Sequence, residues 1–427
     1  MKNTISFILS LFLCSSLLGQ ETDANASRQT LEEIDVQGTQ LDELDLSRAT
    51  VLSGETIENK KISSISDLSG LSPSLYVNHN GIQSYGDVIT LRGMGNTQLF
   101  GDPAVSLYID GIPTGNTATY SSALFDLKSV EILKGSQGHR FGKNSPGGVI
   151  NIKTRRPGDA RRSKLFASYA SFDTQNYRIL ADGPTSETSS YYFGLNRSTS
   201  DGFADNSNAL GNDASSENWN GRLGFNWVTE NGVNVGIGGT WEEFDLGAQP
   251  IVPRASSGNA SYASFYARNS SLNERSAIES DSQYVSLGKE TEWGTLSSVT
   301  TRSDWEIDPN VLDLSFSDSQ LAGLAVWRPD LVSSSTITEE RRNWTEDLSL
   351  ASDPDEAFRW NVGLFYNSRK VNGKSNRMIP MPSDGNASNI AGYQLYSSET
   401  SYSTRAKNFS VRGGVSRDIL EDSAIEL

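Results

Sequence analysis

Residues 130–157 read VEILKGSQGHRFGKNSPGGVINIKTRRP. Two apolar runs, Val130-Glu131-Ile132-Leu133 and Val149-Ile150-Asn151-Ile152, flank a connection holding Gly135, Gly138, Gly142, Gly147 and Gly148. Glycine admits positive φ and close backbone approach, so this density predicts a compact, tightly turned loop between two strands and not a linker. Upstream, Leu91-Arg92-Gly93 and Tyr108-Ile109-Asp110-Gly111-Ile112-Pro113 end short apolar runs in Gly and Pro turn signals.

Taken in order, these segments resemble the plug domain of TonB-dependent outer-membrane receptors. The family pattern is an Arg-Gly step, a short strand ending in Asp-Gly-hydrophobic-Pro, and Val-Glu-hydrophobic-hydrophobic-Arg-Gly-Pro-Gln-Gly. An aromatic-Gly pair and a Gly-Gly-hydrophobic-Ile-Asn-Ile strand follow. Arg92, Gly93, Asp110, Gly111, Pro113, Glu131, Gly135, Gln137, Gly138, Phe141, Gly142, Gly147, Gly148 and Asn151 occupy the matching positions. The departures are Lys134 for Arg, Ser136 for Pro, and His139-Arg140 for a Thr-Leu-like pair. Lysine keeps the charge but loses the bidentate fork, so an ion pair at Lys134 would be looser. If Arg92, Glu131 and Lys134 face a barrel wall, opposite charges there are expected to hold them; otherwise they are solvated strand-end charges.

Composition allows this reading. The chain has 427 residues, a formal charge of −16 and 36% hydrophobic content. No apolar run of about 18 residues follows residue 20, which excludes helical spans there. A soluble β-rich protein and an outer-membrane barrel both remain, because barrel strands alternate lipid-facing and lumen-facing residues and have modest hydropathy. At the N-terminus, Met1-Lys2 and the apolar stretch 5–18 have the form of a signal peptide, assigned to residues 1–19. The only cysteine, Cys14, lies inside it, so no disulfide is expected. A lipoprotein reading of Leu11-Phe12-Leu13-Cys14 is disfavoured by the bulk of Leu13.

Residues 20–48 form a polar leader that includes Leu31, Glu32, Glu33, Ile34, Asp35 and Val36. By residue type this hexapeptide is a short edge strand. The family resemblance makes it a TonB box, with Ile34 and Val36 matching and Asp35 departing, captured by β-augmentation. The roughly ten residues between signal and box leave no room for an additional periplasmic domain.

Residues 49–157 read as a small mixed α/β plug domain. Helices are expected at 53–57 and 63–71, with Ile62, Ile65, Leu68 and Leu71 on one stripe. Strands at 88–92, 105–109, 129–133 and 149–154 make a four-stranded sheet. The polar loops 78–86 and 96–103 are, by the resemblance, apices that face the extracellular mouth.

Residues 158–427 change texture. Leu223, Phe225 and Trp227 alternate with Asn220, Arg222, Gly224 and Asn226, and Glu230-Asn231-Gly232 supplies a hairpin turn. The return strand sets Val233, Val235, Ile237 and Trp241 against Asn234, Gly236, Gly238 and Thr240. Residues 358–367 and 409–416 repeat the alternation. Polar insertions at 200–217, 246–281, 309–339 and 378–400 alternate with tight turns, the layout of a transmembrane antiparallel β-barrel. Trp227 and Trp241 fit aromatic girdles. About ten strands are present where the family implies about 22, so the barrel is expected to be truncated and its open edges unfit for stable insertion alone.

Other chemistries lack support. His79 and His139 have no ligand partners at suitable spacing, so no metal site or cofactor is expected. Glu242 and Glu243 are adjacent strand residues and point to opposite faces, which defeats a shared glycosidase site, and no enzyme is expected. The basic run Arg155, Arg156, Arg161, Arg162 and Lys164 reads as a solvated periplasmic rim, not a nucleic-acid surface, since the chain is acidic. The resemblance thus implies energy-coupled uptake of a scarce, bulky ligand across the outer membrane of a Gram-negative-type bacterium, with outer-membrane lipid and TonB as partners. A ferric siderophore is the expected ligand. The alternative is a secreted β-sandwich adhesin or carbohydrate-active protein.

Overall fold

The computed structural model describes residues 49–78, 87–95, 103–114, 124–143, 145–155, 157, 160–206, 211–248, 267–268, 270, 272–314, 331–353, 356–386, 388–420 and 423–426. The expected signal peptide and leader, with Leu31–Val36, lie outside the described residues, as do most of the apical loops 78–86 and 96–103.

The first part contains strands β1 (Thr50–Ser53), β2 (Leu75–Asn78), β3 (Val88–Leu91), β4 (Met94–Gly95), β5 (Val105–Ile109), β6 (Ile112–Pro113), β7 (Leu127–Lys134) and β8 (Gly148–Thr154). Helix α1 (Gly54–Asn59) follows β1, and the single turn α2 (Gly138–Phe141) lies between β7 and β8. The single four-stranded sheet expected from sequence is instead two sheets, ordered β1-β7-β8-β5-β6 and β2-β3-β4. Residues 88–91 pair with Leu75–Asn78, a strand not anticipated. Its Leu75 and Val77 face inward with Ile89 and Leu91, and the core they share with Val130, Ile132, Ile150 and Ile152 holds the two sheets together.

Ser53 caps α1 by accepting a hydrogen bond from the Thr56 backbone N–H at 3.2 Å. The helix expected at 63–71 shrinks to one 3₁₀ turn, Ser66–Leu68. Ile62, Ile65 and Leu68 are buried as the stripe required. However, the Asp67 carboxylate accepts from the Ser63 and Ser64 N–H groups at 2.9 Å, and Gly70 adopts φ 74°. Local side-chain bonding and a left-handed stop outcompete helix propagation here.

The second part is an 11-stranded antiparallel sheet: β9 (Arg162–Ala170), β10 (Thr174–Ser186), β11 (Ser189–Ser200), β13 (Ser216–Val228), β14 (Val233–Leu246), β16 (Arg275–Thr291), β17 (Gly294–Asp313), β18 (Ser334–Ala351), β19 (Phe358–Pro382), β20 (Tyr393–Leu420) and β21 (Ser423–Glu426). Ten strands are long and the last has four residues. Two short segments, β12 (Asp205–Asn206) and β15 (Ala267–Arg268), pair in parallel between the loops.

Each of the expected insertions is partly ladder: β13 already starts at Ser216 and β16 at Arg275. β19 and β20 run 25 and 28 residues, and Met378 through Pro382 pair with Ser397 through Tyr393. Likewise β17 continues to Asp313 and β18 starts at Ser334. A strand with water on both faces needs no apolar alternation, so its Ser/Asn-rich extension reads as loop.

The wall has an inverted polarity. On β13, Asn218, Asn220 and Arg222 are buried, at 8%, 3% and 6% exposure, whereas Leu223 and Phe225 are exposed at 38% and 36%. Register carries the same division across the sheet: Ile237, Val285, Leu287, Leu348, Leu364, Phe409 and Val411 are exposed on one face. Asn367, Thr345 and Thr301 are buried on the other. Apolar outside and polar inside is the signature of a barrel wall in lipid. Among the described residues, no helix is long and apolar enough to cross a membrane.

Candidate functional site: the contact between plug and wall

The motif residues build the first part from within. Glu131 and Asn151 face each other in register across β7 and β8. The buried Glu131 carboxylate accepts from Asn151 Nδ2 at 2.8 Å and pairs with Lys153 Nζ at 3.1 Å. Both partners lie on β8, so the expectation that wall charges hold Glu131 is corrected: adjacent strands supply the amide and the cation. Lys134 ends β7 opposite Gly148, half-buried. Arg92 and Gly93 form the β3–β4 turn with φ 52° and 77°. Arg92 is exposed, and its Nη1 lies 3.5 Å from where a Gly135 Cβ would sit.

Asp110 and Gly111 make the β5–β6 turn with φ 48° and 85°, which sets Pro113 opposite Tyr108. The Asp110 carboxylate accepts from the Thr154 backbone N–H at 2.8 Å and from its hydroxyl at 2.6 Å, tying the turn to the end of β8. Gln137 precedes α2, which contains Gly138 and Phe141. Tyr108 Oη donates to the Phe141 carbonyl at 2.9 Å, and the two rings meet at a 50° tilt with centroids 4.7 Å apart. The Gly147 N–H donates to the Ala104 carbonyl at 2.8 Å. Gly148 sits at φ 141°, and a Cβ there would lie 2.3 Å from the Leu133 carbonyl oxygen. Here the glycine is required by both conformation and space.

Other residues bring plug and wall together. Asp126, in a φ 54° turn just before β7, is 5% exposed by side chain. Arg222 Nη2 of β13 binds its carboxylate at 2.6 Å, and Arg162 Nη2 of β9 binds both oxygens at 3.1 Å. Arg162 also pairs with Asp182 of β10 at 2.5 Å. The Phe125 ring packs under the guanidinium groups of Arg178 and Arg222, at 5.6 and 5.7 Å. Lys164 Nζ meets Glu58 Oε1 of α1 at 2.9 Å. That hydrogen bond holds the Glu58 carboxyl below its ordinary value, against partial desolvation, with help from the charges of Lys164, Arg155 and Arg162.

The basic run assigned to a solvated rim therefore needs correction. Arg162 and Lys164 bind plug carboxylates, and Arg155 lies 3.6 Å from Asp126. A second contact lies across the lumen. Gly142, at φ 70°, offers its carbonyl to Ser410 Oγ of β20 at 2.8 Å and rests on Phe365 of β19. Beside it, Arg412 forks onto Asp347 at 2.8 and 2.6 Å. A cavity of about 210 Å³ remains between the plug turn, with Asp110 and Phe125, and wall residues Tyr192, Arg222, Trp305 and Arg341.

Sequence reading missed Asp126, Phe125, Asp182 and Phe365. Arg222 and Ser410 were placed on the polar faces of their strands, but no signal linked either to a plug residue 96 or 268 positions away.

This arrangement is a docked closure: a small domain held inside a curved sheet by a few desolvated polar contacts. Residues 44–149 match the family model of the TonB-dependent Receptor Plug Domain. Residues 44–149 are thus a plug domain of this type, and an 11-stranded antiparallel sheet follows them. The pesticin receptor of Yersinia pestis is 35% identical over 136 residues, which cover 32% of this chain and 20% of that protein. The ferrioxamine B receptor of Salmonella typhimurium (strain LT2) is 28% identical over 160 residues, covering 35% of this chain and 22% of that receptor. Among solved structures, the ferric yersiniabactin uptake receptor FyuA from Yersinia pestis superposes with a TM-score of 0.63 at 17% identity, covering 88% of this chain and 62% of that one. The ferripyoverdine receptor of the outer membrane of Pseudomonas aeruginosa superposes at 0.62 and 13% identity, over 99% and 58%. The chain thus spans about three fifths of these solved receptors, and its sequence matches cover about a fifth of the curated relatives.

Proposed function

We propose that the protein belongs to an energy-coupled importer of the outer membrane, in which the plug occludes the wall until ligand and TonB release it. The observation that carries this reading is the Asp126 latch: one buried plug carboxylate held by arginines from two wall strands. Such a contact is strong while closed, yet water can replace its partners once the plug moves. The Leu31–Val36 segment supplies the strand that TonB captures by backbone pairing. A ferric siderophore is the ligand class, supported by the siderophore-receptor names of the relatives. The exposed apolar face of the wall favours residence in lipid over the alternative of a secreted adhesin.

The test is uptake of ⁵⁵Fe-loaded hydroxamate, catecholate and thiazoline-type siderophores by iron-limited cells that make this protein as their only such receptor. TonB-dependent accumulation of one class is expected. Recovery of the protein in the detergent-free soluble fraction, with no uptake of any class, would overturn the reading.

A further inference from the structure

The cavity beside the plug holds a guanidinium whose outer edge is open. Arg341 of β18 and Trp305 of β17 lie opposite each other on the lumen face of the wall, both buried. The Arg341 guanidinium stands 4.8 Å from the centre of the Trp305 ring, which packs with Ile278 and Ile307. Its Nε donates to Glu339, two residues along the same strand. The other Glu339 oxygen accepts from Tyr402 Oη. Arg341 Nη1 and Nη2 are buried and meet no acceptor among the described residues.

Arginine carries its N–H donors in one rigid plane, and Nη1 with Nη2 forms an edge that fits the two oxygens of a carboxylate. Trp305 covers one face and Glu339 takes the Nε corner, so that edge is what Arg341 offers to the cavity. A second cation, Arg369 of β19, borders the same cavity and sits diagonal to Arg341 through the Asn343–Arg369 pair, close enough for long side chains to converge. The carboxylates on the border are engaged elsewhere: Asp110 by Thr154, Asp281 by Gln283, and Asp304 by Arg302 and Arg342. Glu242 is three strands from Arg341 in the same row, roughly 14 Å at ordinary strand spacing. Buried charged donors left unmet are costly, and this edge points to an acceptor that arrives with a ligand.

The cavity measures about 210 Å³, below the roughly 300–1,000 Å³ of pockets that enclose a whole small-molecule ligand. It takes an arm of a ligand. We propose that Arg341 is a specificity-determining residue that receives a free carboxylate of the imported ferric chelate, one not engaged in holding iron. This rests on the importer reading above and narrows it: chelates ending in a carboxylate are selected over those ending in an amine.

The test compares two ferric trihydroxamates with one core, ferrioxamine B, which ends in an ammonium, and its N-succinyl derivative, which ends in a carboxylate. Equilibrium dialysis of the ⁵⁵Fe chelates against the full chain in detergent reads their affinities, with succinate as competitor. The parent should hold the succinyl form roughly tenfold or more tighter, the worth of one charge-assisted pair. Arg341→Gln should abolish that preference, and Arg341→Lys, which keeps the charge without the fork, should retain only part of it. Because Arg341→Gln leaves Glu339 without its cation, the E339Q/R341Q variant, which removes both charges, is measured beside it and should show the same loss. Arg302→Gln, exposed on the outward face, should leave the preference unchanged. No preference in the parent, or one that survives both glutamine variants, overturns the proposal. Succinate that competes as well as the succinyl chelate would make the ligand a free carboxylate and overturn the selection of chelates. A preference without ⁵⁵Fe accumulation in cells overturns the importer reading and leaves the carboxylate site, and accumulation without the preference does the reverse.

Discussion

Tyr192 and Tyr284 meet hydroxyl to hydroxyl at 2.7 Å, although two strands separate them. Between them in register lie Gly224 and Gly238, and the two rings lie flat over these glycines. A Cβ at Gly224 would stand 2.4 Å from the Tyr192 ring. Gly224→Ala should therefore cost about 1–3 kcal/mol by overpacking, whereas Tyr192→Phe should cost about 1 kcal/mol for the lost hydrogen bond. Heat-induced mobility shifts in detergent measure both. Equal shifts for the two variants would contradict the steric role of the glycine.

Asp126→Asn should weaken the contact between plug and wall. It leaves the buried Arg222 without its carboxylate, while Arg162 keeps Asp182, and breaking one side of a buried pair costs about 3–5 kcal/mol. Entry of large antibiotics into cells that make the variant should rise. Glu131→Ala should destabilise the plug sheet without the same permeability, because its partners Lys153 and Asn151 lie on the neighbouring plug strand. If Glu131→Ala leaks as much as Asp126→Asn, the division between latch and plug core is wrong.

Acid should loosen the Glu58–Lys164 contact. The Glu58 carboxyl titrates below its ordinary value of 4.5 in the folded protein, so its stabilisation is complete above that value and disappears as pH falls through the folded one. Both side chains are about half exposed, so the effect stays under about 1 kcal/mol. Limited proteolysis between plug and wall should quicken below pH 4.5 in the parent, and Lys164→Gln should abolish the part of that step due to Glu58. A parent profile that Lys164→Gln does not alter would assign the acid response elsewhere.

Ile34→Pro should abolish uptake while leaving ligand binding intact. Proline removes a backbone donor that strand capture uses. Parallel measurements of siderophore binding and of TonB-dependent accumulation separate the two steps, and equal losses in both would make the segment structural.

The strands 130–133 and 149–152 and the turns at Gly93 and Gly111 were legible because their signals are local: alternation, a positive-φ glycine, a proline. The wall was legible because Leu223 and Arg222 alternate. The second plug sheet was not, since residues 75–78 are only four positions with two inward side chains, too short for alternation to register. The latch was invisible for a different reason. Asp126 has no local pattern, and its partners Arg162 and Arg222 are fixed by strand register and curvature, quantities that appear only once the sheet is built.

The spacing of the latch also makes it a reporter on the wall. Asp126 and Arg222 are 96 positions apart, and Arg222 is in its place only when β9, β10, β11 and β13 are paired in one sheet. The plug core, through Glu131, Asn151 and Tyr108, closes on plug residues alone, whereas Asp126 is closed only by the wall. The grip on the cork is thus spread along the neck: its first long strand brings Arg162 and its fourth brings Arg222.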